Sequence, residues 1–219
     1  MPSSTVEDYL KAILHLQDSG SGTVAVGEIA RELDVTPGTV TTMMRHLSEE
    51  KFVDYVPRRG LKLLPKGRTS AMRVVRRHRL IELFLVDVLK LDWSEVHEEA
   101  EILEHVVSDR LLDRIDTMLG QPTHDPHGDP IPDRDGKIAA SSVTTLAEVV
   151  DGKYRITRVS DEDSALLGWL DQQGLNLGEE IELSRPDHAA GLLEIATRGG
   201  INPIKLGINV AEQVFVEPL

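Results

Sequence analysis

Residues 36–64 read TPGTVTTMMRHLSEEKFVDYVPRRGLKLL. The first half has a helical period. Thr36 is a natural cap, Pro37 takes the first helical position, where a missing N–H is harmless, and Val40, Met43, Met44 and Leu47 share one face. The second half switches to period two, with FVDYV and LKLL flanking a hairpin tip at Arg58, Arg59 and Gly60. Just upstream, VAVGEIARELDV places Ile29, Ala30 and Leu33 on one face of another short helix. Two short helices joined by a tight turn and followed by a basic hairpin make a winged helix-turn-helix. In that arrangement 37–49 is the recognition helix for a DNA major groove, and the wing touches backbone phosphates. Thr36, Gly38, Thr39 and Thr42 fall near base edges. Being short, they offer only weak contact to thymine methyls or backbone, so groove shape is expected to matter. Arg58, Arg59 and Lys62 are the expected phosphate contacts, with ordinary surface charge as the plainer alternative.

Outward from this element, 5–17 (TVEDYLKAILHLQ) is an amphipathic helix ended by DSGSG. After the wing a long helix runs from PKGRTSAMRVVRRHRLIELFLVDVL, a second covers 93–108 and a third 108–119. The segment QPTHDPHGDPIPDRDGK is rich in Pro, Gly and Asp and reads as a loop or linker. From 143 the texture becomes short alternating runs, KYRITRVS, EEIELSRP, LLEIAT and VFVEPL, broken by one helix at 161–173. That pattern predicts a small β-barrel. The fold class expected is therefore α+β and multidomain: a winged helix-turn-helix over 1–72, an all-α dimerisation domain over 73–140 and a small β-barrel over 141–219.

Charge is distributed in the same way. The chain has 219 residues and a net charge of −13, which argues at first against nucleic acid. Residues 1–80, however, hold 13 basic and 9 acidic side chains, and 44–80 alone hold 11 basic and 3 acidic. A basic segment on an acidic chain is the electrostatic footprint of a phosphate-binding face. There is no cysteine, which excludes disulfides, thiolate zinc sites and iron–sulfur clusters and leaves oxygen and imidazole as metal ligands. No apolar run is long enough for a membrane span, and the N-terminus carries acids rather than the basic start of a signal peptide. The cytoplasm is the expected compartment, with no membrane partner.

The chemistry concentrates between 92 and 109, where seven carboxylates occur without one Lys or Arg. His97, Glu101, Glu104 and His105 would share an arc of about 100° on a continuous helix. An acidic face without basic partners repels itself unless a cation sits on it. His78 and Glu82 stand at i, i+4 on the preceding helix, and two helices presenting His and Glu inward can build a metal site. A solvated acidic face is the bland alternative. His15 and His46 read as surface or packing residues, and His124 and His127 as a weak surface site at most.

VEDYLKAIL at 6–14, RHRLIELFL at 77–85, LDWSEVHEEAEILEHVVSD at 91–109 and HGDPIP at 127–132 resemble the diphtheria toxin repressor family of metal-dependent regulators. With an SH3-like (FeoA-like) third domain the resemblance covers nearly the whole chain. It implies a regulatory site built from Asp8, Glu101, Glu104 and His105. It implies an ancillary site from His78, Glu82 and His97 plus a third-domain carboxylate, with Glu162 the best placed and Asp161 and Asp163 close rivals. It makes ligand roles for His124 and His127 less expected. Iron-responsive members place Met and Cys where this chain has Asp8 and Glu101. Exchanging sulfur for oxygen disfavours Fe²⁺ relative to Mn²⁺, so Mn²⁺ is the expected metal, Fe²⁺ the alternative, with two ions per protomer. Two-domain manganese regulators carry a further acidic ligand at the position of Lys11, so two separated sites are expected here rather than a fused pair.

The implied function is a repressor that binds palindromic double-stranded operator DNA as a metal-loaded homodimer. Leu80, Leu83, Phe84, Ile102 and Val106 are candidates for the dimer core or for an internal one. The rival class is a metallohydrolase, since HEEAE at 97–101 superficially resembles HExxH. Its fifth residue is Glu, however, and no nucleophile accompanies it, so no enzyme activity and no small organic substrate are expected. A plain metal buffer would need no winged helix.

Overall fold

A computed structural model describes residues 3–20, 22–138, 144–160, 163–187, 191–197, 200 and 202–219. The chain forms two compact units. The first comprises Met1–His78, Leu103–Asp109 and Pro132–Ile138; the second comprises Arg79–Ile102, Arg110–Ile131 and Ala139–Leu219. No helix among the described residues is long and apolar enough to cross a membrane.

The first unit holds the helices α1 (Ser4–Asp18), α2 (Val26–Glu32) and α3 (Pro37–Glu49), then the strands β1 (Val53–Val56) and β2 (Gly60–Leu63). Local chemistry fixes the ends of these helices. Ser3 caps α1, and Thr36 caps α3 with Pro37 in the first turn. Leu10, Ile13, Ile29, Val40, Met44 and Leu47 meet in one core with Val53 and Leu61 of the hairpin. β1 and β2 pair antiparallel with Val53 opposite Leu63 and Val56 opposite Gly60. Val24 exchanges two backbone hydrogen bonds of 2.9 Å with Leu61 and so adds a short third edge to the wing. Gly60 is required there: its φ is +99°, and a Cβ would lie 2.7 Å from the Val24 carbonyl oxygen.

α4 (Pro65–Asp87) begins in the first unit. α5 (Val96–Leu103) and α6 (Asp109–Met118) follow. The continuous helix expected over 93–108 is corrected here. It ends at Leu103, where the N–H groups of Val106 and Val107 both return to the Leu103 carbonyl at 3.0 Å, closing a turn. Glu104 and His105 therefore leave the helix instead of sharing a face with His97 and Glu101.

The rest of the second unit is a six-stranded antiparallel sheet, with β3 (Thr144–Thr145), β4 (Gly152–Val159), β5 (Glu180–Asp187), β6 (Leu192–Thr197), β7 (Ile204–Gly207) and β8 (Val214–Pro218). Their order is β3-β8-β4-β5-β6-β7. α7 (Ser164–Gln173) connects β4 to β5, and α8 (Ile208–Ala211) precedes β8. Alternate strand residues Tyr154, Ile156, Ile181, Leu183, Leu193 and Ile195 fill the core with Leu167 and Leu170 of α7. The molecule is thus an α+β multidomain protein, as its sequence pattern predicts.

Candidate metal centres and DNA-facing helix

In the first unit, Asp8 of α1 meets Glu104 and His105 of the turn after α5. One ligand atom from each lies within 4.8 Å of the others. His105 Nε2 is 2.8 Å from Asp8 Oδ1 and 3.5 Å from Glu104 Oε1. Glu104 is fully buried and is approached by two further groups. Lys11 Nζ donates to its two carboxylate oxygens at 3.0 and 3.2 Å, and His78 Nδ1 lies 2.6 Å from Oε2. Lys11, one helical turn after Asp8, therefore places an ammonium on the same carboxylate that faces the cluster. The donor set of two carboxylates and one imidazole, without sulfur, suits a hard or borderline divalent ion. Glu101 belongs to the second unit. It stands on α5 with its side chain 42% exposed and its carboxylate 3.7 Å from His97 Nε2.

The second unit contains a cluster the sequence reading did not favour. Glu82, Asp125 and His127 bring one ligand atom each within 4.8 Å, and all three are buried. The Pro-rich stretch is a tight turn here, not a loose linker. Asp125 Oδ1 accepts from the backbone N–H groups of His127 and Asp129, both at 2.9 Å. His127 Nε2 lies 2.8 Å from the Trp93 carbonyl, and its ring stacks on that of Trp93 with centroids 5.6 Å apart. A carbonyl only accepts, so Nε2 carries a proton and Nδ1 is turned to the carboxylates. Asp125 Oδ2 and His127 Nδ1 are buried without a hydrogen-bond partner. Asp125 Oδ2 is an inward-facing acceptor of the kind that fits a bound cation, and His127 Nδ1 becomes one once it has given up its proton. Arg79 balances part of the charge, at 3.5 Å from Asp125 Oδ2 and 2.8 Å from Asp129 Oδ1.

Electrostatics follow the burial. Asp125 is pushed up to about 7, first by loss of water and then by the neighbouring Asp129 and Glu82 charges. For His127 burial opposes the charged form, yet the Glu82 carboxylate at 3.8 Å and the Trp93 carbonyl raise it to about 9. Glu82 also faces His97, with Oε1 3.4 Å from Nδ1. His78, Glu82 and His97 are thus each held against a carboxylate or imidazole. Of the third-domain candidates, Asp163 caps α7 by accepting from the Ala165 and Leu166 N–H groups. Asp161 and Glu162 lie outside the described residues. Asp125 and His127 were masked in the sequence by their Pro and Gly neighbours; the readable signal was an Asp able to cap N–H groups two and four residues on.

The residues expected to face DNA are all exposed. Thr36, Gly38, Thr39 and Thr42 are exposed at the N-terminal half of α3. Their hydroxyls are committed to the helix itself. Thr36 Oγ1 accepts from the Thr39 N–H at 3.2 Å and lies 2.9 Å from Thr39 Oγ1, Thr41 donates to the Pro37 carbonyl at 2.8 Å, and Thr42 donates to that of Gly38 at 3.1 Å. Arg58, Arg59 and Lys62 are exposed on the wing.

Comparison with known proteins closes the frame. Residues 1–61 match the model of the iron dependent repressor N-terminal DNA binding domain, 64–133 that of the iron dependent repressor metal binding and dimerisation domain, and 144–218 the FeoA domain. The chain is 31% identical to the diphtheria toxin repressor of Corynebacterium diphtheriae over 227 residues, 98% of this chain and 97% of that one. It is 40% identical to the iron-dependent repressor IdeR of Mycobacterium tuberculosis over 128 residues, 58% of this chain and 55% of that protein. The match thus spans about half the length of the mycobacterial relative. Among solved structures, a manganese-dependent transcriptional repressor in complex with manganese is similar at a TM-score of 0.89 and 36% identity, covering 98% of this chain and 100% of that one. A winged helix, a carboxylate–imidazole cluster and an SH3-like sheet define the class of metal-dependent DNA-binding regulators. The chain belongs to the diphtheria toxin repressor family, a family of transcriptional repressors and not of enzymes.

Proposed function

We propose that this protein is a manganese-dependent transcriptional repressor that binds palindromic operator DNA as a metal-loaded homodimer and controls metal-homeostasis genes in the cytoplasm. One observation carries this reading: Asp8, Glu104 and His105 converge within 4.8 Å in the compact unit that contains the winged helix. They would hold the regulatory ion, with Glu101 as a further candidate ligand. A bound divalent ion supplies positive charge that offsets the mutual repulsion of these carboxylates. Asp8 sits on α1, whose Leu10 and Ile13 share a core with Val40 and Met44 of α3. Fixing Asp8 against the 103–109 turn therefore bears on the recognition helix through packed side chains. Selecting one arrangement over others is sufficient for metal-linked binding.

Glu82, Asp125 and His127 would hold a second ion, with His78, His97 and a third-domain carboxylate such as Glu162 as the other candidates for the ancillary ligands. Lys11 supports one ion rather than a fused pair at the regulatory site, because its ammonium already stands on Glu104. The all-oxygen and imidazole donors favour Mn²⁺ over Fe²⁺, the alternative metal. Thr36, Gly38, Thr39 and Thr42 would face bases, and Arg58, Arg59 and Lys62 phosphates, within a division into winged helix 1–72, dimerisation domain 73–140 and SH3-like domain 141–219. Ile102 and Val106, 66% and 74% exposed, are apolar side chains that a partner subunit would cover.

The test is a gel shift on duplexes selected from a random pool in the presence of Mn²⁺. Binding is expected with Mn²⁺ and lost in chelator; equal binding in both overturns the mechanism. Asp8→Met combined with Glu101→Cys is expected to move the response toward Fe²⁺, and an unchanged metal preference refutes the ligand assignment.

A further inference from the structure

Glu7 is a buried carboxylate next to a ligand, yet it belongs to neither ligand set. It is 4% exposed, in the first turn of α1. On one side Arg77 Nη1 donates to both of its oxygens, at 3.2 and 3.3 Å, and also to the Glu104 main-chain carbonyl at 3.2 Å. On the other side Glu7 Oε2 lies 3.0 Å from His105 Nδ1. His105 Nε2 points the opposite way, at Asp8 Oδ1 and Glu104 Oε1. The imidazole is clamped between one carboxylate at Nδ1 and the ligand cluster at Nε2.

A neutral imidazole has one N–H and one lone pair, and a carboxylate accepts hydrogen bonds. Glu7 therefore draws the N–H to Nδ1 and leaves the Nε2 lone pair facing Asp8 and Glu104. A burial penalty on Glu7 is offset by the Arg77 guanidinium, whose own packing against the Glu104 carbonyl fixes the carboxylate in place. A mere ion-pair partner of Arg77 has no need to address the histidine as well.

We propose that Glu7 is the positioning residue for His105: it holds the ring in the Nδ1–H tautomer and presents Nε2 to the metal, with Arg77 balancing its charge. The proposal rests on Asp8, Glu104 and His105 forming a cation site. Its consequence is that α1 contributes twice, once through Asp8 as a ligand and once through Glu7 as the group that aims another ligand. A change in the orientation of α1 displaces both together.

The experiment uses the full chain with ¹⁵N-labelled histidine and ¹¹³Cd²⁺ as a diamagnetic probe, alongside Mn²⁺ binding followed by the EPR signal of the unbound ion. In the wild type the cadmium–nitrogen coupling is expected at His105 Nε2, with the proton on Nδ1; coupling at Nδ1 overturns the proposal. Replacing Glu7 and Arg77 together by Met removes the pair without stranding a charge. That variant is expected to bind Mn²⁺ about 10- to 100-fold more weakly and to show a mixture of His105 tautomers. Glu7→Gln, which keeps an acceptor oxygen, is expected to stay within about threefold of the wild type. Wild-type affinity in the folded double variant overturns the positioning role, and so does a loss in Glu7→Gln as large as in the double variant. If the double variant does not fold, the wild-type coupling decides. Failure of the underlying cation site looks different: Asp8→Ala then binds Mn²⁺ like the wild type, and cadmium leaves the His105 signals unmoved.

Discussion

The clusters at Asp8–Glu104–His105 and Glu82–Asp125–His127 use the same donor chemistry but are finished differently. Both have a side-chain cation beside them, Lys11 on Glu104 in the first and Arg79 3.5 Å from Asp125 in the second, but the Asp8 side chain of the first is 42% exposed. The second is closed, with no side-chain exposure at Glu82, Asp125 or His127 and with inward-facing atoms lacking hydrogen-bond partners. An open cluster that already carries an ammonium can fill and empty while its unit stays folded. A closed cluster of buried carboxylates repels itself unless cationic side chains or a bound ion offset the charge. On the proposed reading the first is the responsive site and the second holds its unit together.

The largest effect that separates them is expected from Asp8→Ala with His105→Ala. Metal-dependent DNA binding should fall by at least about 100-fold in a gel shift, while metal-stabilised melting persists through the buried cluster. Loss of both together breaks the distinction. Next comes His127→Leu, which leaves Asp125 and Glu82 buried without their imidazole. It should lower unfolding free energy by about 3 kcal/mol in denaturant titration and reduce bound Mn²⁺ from two ions to one per protomer. An unchanged stoichiometry overturns the second ion.

A pH dependence sharpens the same contrast. His127, raised from 6.5 to about 9, contributes stability that is fully present below 6.5 and lost as pH rises through 9. Asp125, raised from 3.8 to about 7, also favours the protonated fold, and its penalty grows as pH climbs from 3.8 to 7. Metal-free stability from this cluster therefore falls across that window, whereas an ion bound to the deprotonated set offsets the loss. The rise in melting temperature on adding Mn²⁺ should be greater near pH 8 than near pH 6; an equal rise detaches the cluster from metal. Lys11→Glu comes next: an added carboxylate in place of the ammonium should raise the stoichiometry by one, read by Mn²⁺ titration. The smallest effect is on the DNA. Replacing an operator thymine that faces Thr39 or Thr42 by uracil deletes one methyl and should weaken binding about fourfold, near 0.8 kcal/mol. No change at any thymine sends the readout to groove shape.

What the sequence revealed depended on how local the chemistry was. The recognition helix was readable to the residue, Pro37–Glu49, because its cap and its proline act within one turn. The end of α5 was not, because Val107 continues the helical apolar spacing of Val96, Ala100 and Leu103 while the backbone closes onto Leu103. Asp8, Glu104 and His105 were nameable from the family resemblance. Glu7 was not, since an acid in a first helical turn reads as a favourable surface charge and its partner Arg77 is 70 residues away. His127 was passed over because Pro, Gly and Asp around it predict a loop, and composition cannot show that such a loop is folded onto a buried glutamate.

Gly128 follows His127 directly in that turn and has no functional group at all. Its φ is +88°, and a Cβ there would stand 2.1 Å from the Thr157 carbonyl oxygen. Its neighbour His127 accepts the Val159 N–H at 2.9 Å, so the turn lies directly against β4. For anyone transplanting the buried cluster into another scaffold, the three candidate ligands are therefore an incomplete graft. The glycine and the strand edge it touches have to travel with them, since an alanine at that point would lift the whole turn, and two donors with it, from its seat.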